Sequence, residues 1–301
     1  PGGHPRRSSH EGRRMNPEPR PLAVAILGRG VIDPEVPVIH ADDPGLLRGM
    51  AAFETLRVYG GRPFALDEHL ARLARSTERM GLRLPETSAL ETLAADAVAA
   101  AGVADCSLRF VVTGGPAGRG PVTMVLIGAI PSDHEHKRAT GIEAITLQLG
   151  TDPRARMNAP WLLDGVKSTS YAVNMAARDE ARRRGADDAI FLAADGTVLE
   201  GPTTNVWWWS QEVLYTPALE LGILAGVTRA WLLRIAGELG VTIEEGWYAR
   251  SEMAAADEVF TSSSVRELMP VVRLDGEVVG DGRPGSMALA LQAGLRGAAE
   301  A

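Results

Sequence analysis

Lys167 is set between an apolar loop and a helix-like run, in Leu162-Leu163-Asp164-Gly165-Val166-Lys167-Ser168-Thr169-Ser170-Tyr171. Three further polar signals follow it in order. Glu200 ends a strand-like run and precedes Gly201-Pro202-Thr203-Thr204-Asn205. Gly226-Val227-Thr228-Arg229 opens a helix, and Thr261-Ser262-Ser263-Ser264 follows a short strand. This series constrains the fold more than any other feature, because its members act together only if distant segments converge. Taken singly, each is ordinary. A lone lysine is usually a solvated surface charge, a strand-end glutamate usually faces water, and a threonine in a first helical turn usually serves the cap.

The chemistry of the four types is complementary. A lysine amine with a lowered pKa can form a Schiff base with an aldehyde. First-turn N–H groups of a helix have no intrahelical partner and suit a phosphate. A carboxylate keeps a pyridine nitrogen protonated, so the ring can accept electrons. In this order the parts are those that hold pyridoxal 5′-phosphate (PLP).

The whole chain sets limits. Its 301 residues allow one large domain or two medium ones, and 45% apolar residues suffice for a full core. A net charge of −7 argues against a general nucleic-acid binder. The single cysteine, Cys106, excludes an intrachain disulfide and fits a reducing cytoplasm; it reads as a small buried residue. No apolar stretch is long enough to span a bilayer. Residues 1–20 read as a disordered tail, with those before Met15 as upstream sequence, and they lack the apolar middle of a secretory signal.

Along the chain, Leu22 to Leu27 reads as a strand running into Gly28-Arg29-Gly30. Asp33 stands where a dinucleotide loop needs its third glycine, and Pro34 blocks a following helix. Phe53 to Tyr59 alternates as a strand before a Gly60-Gly61 turn. Asp67 is the expected N-cap of a helix through His69, Leu70, Leu73, Thr77 and Met80, and Thr87 to Ala101 is a second helix. Ser107–Thr113 and Thr123–Ile130 pair around a glycine-rich loop that carries Arg119. The organisation expected is a smaller domain over 21–131, a charged linker over 132–141 and a larger domain over 142–301. Within the latter, the alternation predicts Ile142–Leu149 as a strand, Ser170–Arg184 as a helix, and strand-turn-strand across Asp195-Gly196 to Glu200. Val206–Trp209 pairs with Val213–Thr216, and Val227–Leu239 has helical apolar spacing. Trp207-Trp208-Trp209 reads as filling both faces of a strand. Asp133, His134, Glu135 and His136 lack a distant partner of metal-ligand spacing, so no metal is expected.

With these residues in view, the chain resembles the PLP fold-type IV (class IV aminotransferase) enzymes. These are branched-chain aminotransferases, D-amino acid aminotransferases and 4-amino-4-deoxychorismate lyases. The resemblance runs from Gly49 to the end. It is carried by Phe53-Glu54-Thr55-Leu56-Arg57-Val58, His69-Leu70-Ala71-Arg72-Leu73, Lys167-Ser168 and Asp195-Gly196 to Glu200-Gly201. Asn205-Val206, Leu221 to Arg229 and Asp257 to Ser262 complete it. It implies an α/β (α+β) fold of two domains with PLP in the cleft, and a homodimer. By the same resemblance Lys167 is the Schiff-base lysine and Glu200 pairs with the pyridine nitrogen. Arg72, Val227, Thr228, Ser263 and Ser264 hold the phosphate, and Tyr171 and Asn205 lie near the ring. Arg119 falls where relatives place an arginine for a substrate carboxylate, Arg109 is a second candidate, and Phe53 lines the pocket. Tyr171 stands four residues after Lys167, a spacing that resembles the lyases and D-amino acid enzymes; branched-chain enzymes have five. Phe53, where D-amino acid enzymes tend to carry Tyr, and Ala117-Gly118-Arg119-Gly120 look more lyase-like. The activity implied is aminodeoxychorismate lyase, with transamination as the alternative.

Overall fold

The computed structural model describes residues 19–154 and 159–300; the tail expected over 1–20 lies outside them except for its last two residues. Two sheets are built from consecutive halves of the chain. The first contains β1 (Ala23–Ile26), β2 (Gly30–Ile32), β3 (Ala51–Tyr59), β4 (Arg62–Pro63), β5 (Cys106–Thr113) and β6 (Thr123–Gly128). They lie in the order β2-β1-β6-β5-β3-β4, antiparallel throughout. Gly28 and Arg29 therefore lie in the turn between two antiparallel strands, with Gly30 opening β2 and no helix directly behind it. Gly60 and Gly61 both have positive φ (54° and 81°), as a two-residue hairpin turn requires.

A short helix, α1 (Pro44–Arg48), precedes β3, and α2 (Leu66–Arg79) and α3 (Thr87–Ala101) follow β4. The inward side chains of β3 and β5, including Leu56, Leu108 and Phe110, meet Leu73 of α2 and Leu90 of α3 in a closed apolar cluster. Asp67 does not cap α2. Ala65, left-handed at φ 53°, holds that position, so the helix begins at Leu66 and Asp67 lies in its first turn. There its charge faces the positive helix end. Cys106 is buried, as expected of a small apolar side chain.

The segment read as a linker, 132–141, carries a helix: α4 spans His134–Thr140. Its charges pair within and across it, Lys137 with Asp133 (2.9 Å) and Asp187 (3.0 Å), Arg138 with Glu135 (2.6 Å). A charge-dense run with partners three or four residues apart supports a helix.

The second sheet contains β7 (Ile142–Gln148), β8 (Asp188–Leu192), β9 (Asn205–Ser210), β10 (Val213–Pro217), β11 (Thr242–Gly246), β12 (Glu258–Ser263), β13 (Glu267–Leu274) and β14 (Glu277–Val278). Its order is β11-β10-β9-β12-β13-β7-β8, with β14 beside β13, and it mixes parallel and antiparallel pairs. The helices of this half include α5 (Ala172–Arg183), α6 (Val227–Glu238), α7 (Arg250–Ala254) and α8 (Ser286–Glu300). The tryptophan run fills both faces of β9. Trp207 stacks near Phe260 in the cluster under α6 and α8, while Trp208 packs with Tyr215 and Tyr248 on the opposite side. Thr197 to Glu200 is not a regular strand. It bonds back to Phe191 and Ala193 on one side, and Thr197 bridges to Ala249 on another. That splits its pairing between two partners.

Candidate active site

The lysine segment is drawn onto the first sheet. The start of β3 extends beyond β4 and offers free backbone groups, and residues 167–169 fill them. Phe53 N–H donates to Lys167 O (2.9 Å), Thr169 N–H donates to Ala51 O (2.8 Å), and Ala52 bridges Ser168. Lys167 N–H donates to Ser76 Oγ on α2 (3.2 Å). The backbone of Lys167 is thus fastened from two elements, and its side chain lies over the Phe53 ring, with Nζ 4.7 Å from the ring centre. Tyr171, at the cap position of α5, sets its ring edge-on to Phe53 (5.1 Å) and 5.9 Å from Nζ.

Burial of the ammonium, then the Arg72 charge, lowers the Lys167 pKa to about 8, against the opposing pull of Glu54 and Glu200. The amine is thus much closer to being free at neutral pH than an exposed lysine. Burial, then the Glu200 charge, pushes the Tyr171 phenol up to about 12, so it keeps its proton.

Three of the expected site residues converge on one short loop, Leu224-Ala225-Gly226, just before α6. Leu224 N–H donates to Glu200 Oε2 (3.0 Å), Asn205 Nδ2 donates to Leu224 O (2.9 Å), and Arg72 Nη1 donates to Ala225 O (3.0 Å). Val227 and Thr228 follow as the first residues of α6. Thr228 Oγ1 and Ser264 Oγ lie 3.3 Å apart, and Ser264 Oγ lies 3.3 Å from His69 Nε2. Ser263 Oγ accepts from Arg266 N–H (3.4 Å), bracing the turn that leads out of β12.

Sequence reasoning missed Glu54, which is fully buried beneath this cluster. Arg72 Nε and Nη2 both donate to it (2.7 Å each), and His69 Nδ1 lies 2.7 Å from Oε2. Burial alone would raise its pKa, but the Arg72 charge and the hydrogen bonds from Arg72 and His69 hold it down to about 2. The signal was present: Ala52, Glu54, Leu56 and Val58 are the inward phase of β3, so an acid there needs buried partners.

The carboxylate candidates separate. Arg109 on β5 stands opposite Thr55, donates from Nε to Thr55 Oγ1 (3.2 Å), and lies 5.6 Å from the Phe53 ring centre. Its charge acts on Lys167. Arg119 is exposed in the loop between β5 and β6, where its N–H closes a turn on Pro116 O (3.1 Å). The acids of the 133–136 run are engaged in ion pairs with Lys137, Arg138 and Arg296, not gathered around a common point.

These residues fit PLP: a half-buried amine of lowered pKa, an acid across the loop, and a helix start flanked by hydroxyls and an arginine. The loop leaves no spare room. A Cβ on Gly226 would meet Asn205 Oδ1 at 2.1 Å, and Asn205 is pinned through Leu224 O. Gly226→Ala is therefore expected to lower stability by about 1–3 kcal/mol through overpacking. Denaturant unfolding with and without PLP checks this, with the larger loss expected in the PLP-bound form.

The family model for amino-transferase class IV matches residues 51–274. The chain is 33% identical to a D-alanine aminotransferase of Bacillus licheniformis, over 86% of this chain and 90% of that one. It is 32% identical to a bifunctional aminodeoxychorismate lyase / D-amino acid transaminase of Mycobacterium tuberculosis, over 84% and 91%. Among solved structures, a fold IV-transaminase from Curtobacterium pusillum superposes with a TM-score of 0.82 at 33% identity, covering 90% of this chain and 99% of that one. With two sheets arranged as in that fold-type IV enzyme and a family match across both, the chain belongs to the class IV aminotransferase family.

Proposed function

We propose that this protein is a 4-amino-4-deoxychorismate lyase that releases pyruvate and 4-aminobenzoate, a folate precursor, with Lys167 as its Schiff-base residue. PLP is the cofactor of this family, and when bound it supplies an electron sink for charge left on a substrate carbon. The observation that carries the Schiff-base role, common to lyase and transaminase, is the Lys167 amine, lowered to about 8 and held over Phe53 beside Tyr171; the lyase choice rests on the four-residue spacing from Lys167 to Tyr171 and on Phe53 itself. At that pKa one group can both attach to an aldehyde and carry a proton. In the lyase reading Lys167 Nζ takes the proton from the substrate ring carbon C4. The enolpyruvyl C–O bond then breaks, the ring becomes aromatic, and the departing enol gains a proton to become pyruvate.

Glu200 is the residue to hold a proton on the pyridine nitrogen. Arg72, Val227, Thr228, Ser263 and Ser264 are those to hold the phosphate, the helix residues through their backbone N–H groups. Asn205 supports the loop beneath. Arg109 is the better placed partner for a substrate carboxylate, because it shares the Phe53 face of the sheet; Arg119 would need its exposed loop to fold inward. Phe53 shields the amine from water on one side.

Transamination, of D-amino acid or branched-chain type, is the second reading. It is favoured by the likeness to the Bacillus D-alanine aminotransferase, and the Mycobacterium relative is named for both activities. It uses the same first proton transfer at Lys167. The test offers aminodeoxychorismate on one side, and D-alanine or L-leucine with 2-oxoglutarate on the other. Equal release of 4-aminobenzoate and pyruvate is expected. Keto acid formation without 4-aminobenzoate would replace the lyase by the transaminase.

We also place the enzyme as a homodimer in the cytoplasm. Exposed apolar side chains at Leu46, Leu47, Trp161 and Val173 favour a covering partner. The lone buried Cys106 favours a reducing compartment. An active species with the mass of one chain would contradict the dimer. Among the described residues no helix is long and apolar enough to cross a membrane.

A further inference from the structure

We infer that Glu54 is the positioning residue of the phosphate cradle, aiming Arg72 and, through His69, Ser264; this rests on the PLP reading above. The Nε–Nη2 edge of Arg72 is clamped by both carboxylate oxygens of Glu54, and its Nη1 is held by Ala225 O. A guanidinium fixed on one edge presents its remaining N–H groups in a single direction. Glu54 Oε2 also takes His69 Nδ1, which leaves Nε2 facing Ser264 Oγ. Ser264 in turn touches Thr228 in the first turn of α6. Glu54, His69 and Arg72 are all at most 4% exposed, so water cannot replace these bonds.

Held at about 2, Glu54 is ionised and offsets the charge of Arg72. On net charge alone, removing that acid should strengthen the binding of a phosphate anion. On the positioning account it should weaken it. A glutamine amide would face Arg72 or His69 with an N–H where an acceptor is needed, so one arm of the fork or the histidine contact is lost.

Glu54→Gln is therefore expected to raise the dissociation constant of apoenzyme for PLP by about 10-fold to 100-fold, on the scale of losing the hydrogen-bonded partner behind a metal ligand. Pyridoxal, which lacks the phosphate, is the control probe: the charge of Glu54 acts on Lys167 for both probes alike, so the affinity for pyridoxal is expected to change much less than that for PLP. Inorganic phosphate should compete with PLP for the wild type and much less well for the variant. A general structural role would weaken PLP and pyridoxal equally, and unchanged or tighter PLP binding would favour net charge; either overturns the proposal. Should Glu54→Gln fail to fold, His69→Gln keeps the Glu54–Arg72 fork and tests the Ser264 arm by the same PLP-to-pyridoxal ratio. An unchanged ratio overturns the proposal. Failure of the underlying cofactor reading would look different, because the wild type would then bind neither PLP nor pyridoxal.

Discussion

Lys167→Ala is expected to give a folded, colourless protein whose turnover falls by about 1,000-fold or more, since one substitution removes both the covalent attachment and the proton carrier. The backbone contacts that seat this segment, to Phe53, Ser76 and Ala51, do not involve the lost amine. The fold should therefore survive, and the apo form should even gain stability. A lysine whose folded pKa is lowered opposes folding wherever the native state must carry the proton. With burial and Arg72 lowering it from 10.5 to about 8, that cost is full below about 8 and gone above 10.5. The stabilisation of the apo variant should follow the same window, present at pH 7 and fading as pH rises through 8 to 10.5. Borohydride reduction followed by peptide mass analysis should place the cofactor on Lys167 in the wild type. A yellow Lys167→Ala protein with full turnover would remove the assigned nucleophile.

Elements with a local periodic signal were readable from sequence. The alternation of β3 and β5 and the apolar spacing of α2 and α6 each specify one buried face, the tryptophan run of β9 fills two, and the bounds differ from expectation by a residue or two. The exceptions have physical causes. α4 lacks an apolar stripe, and its helix rests on ion pairs that a polarity pattern does not register. The N-cap of α2 depends on Ala65 adopting a left-handed conformation after the tight β4 turn, a property of the approach of the chain, not of residue type. At the site, order along the chain pointed to Lys167, Glu200, Asn205 and Thr228. The meeting of Glu200, Asn205 and Arg72 at Leu224-Ala225-Gly226 required the packing of β9 against β12 and of α2 against α6's leading loop. Glu54 was hidden for a related reason. Its phase in β3 marks it as inward, but the partners that make an inward acid tolerable, His69 and Arg72, stand on the next helix.

The largest stability effect is expected from a residue with no part in the chemistry. Glu267 begins β13 and is fully buried, yet it faces charges from three other elements. Tyr59 Oη donates to it (2.8 Å) and Arg57 Nη1 lies 3.0 Å away, both from β3 of the first sheet. Arg138 of α4 lies at 3.2 Å; from α8, Gln292 Nε2 donates at 2.8 Å and Arg296 Nη2 at 3.2 Å. Burial would raise its pKa, but Arg57 and the Tyr59 hydrogen bond lead the groups that hold it below the usual range. Glu267→Ala leaves buried arginine charge without its acid and should cost about 3–5 kcal/mol, the range for breaking one side of a buried ion pair. That is a large share of a typical total of about 5–15 kcal/mol. The same carboxylate ties the first sheet to α4 and α8, so the loss should appear as a lower midpoint in denaturant unfolding, with the Arg57 and Arg138 sites coupled to it in double-mutant cycles. A backbone term can be separated. Glu267 has φ 58°, where a side chain is strained, so Glu267→Gly should recover about 1 kcal/mol relative to Glu267→Ala. Because the folded pKa of Glu267 is lowered, its contribution holds above the unfolded carboxylate range near 4 and disappears as pH falls through the folded value. The Glu267→Ala penalty should shrink in the same direction. A penalty below about 1 kcal/mol at pH 7, the level of an exposed surface pair, would mean that the cluster is no more than surface charge pairing.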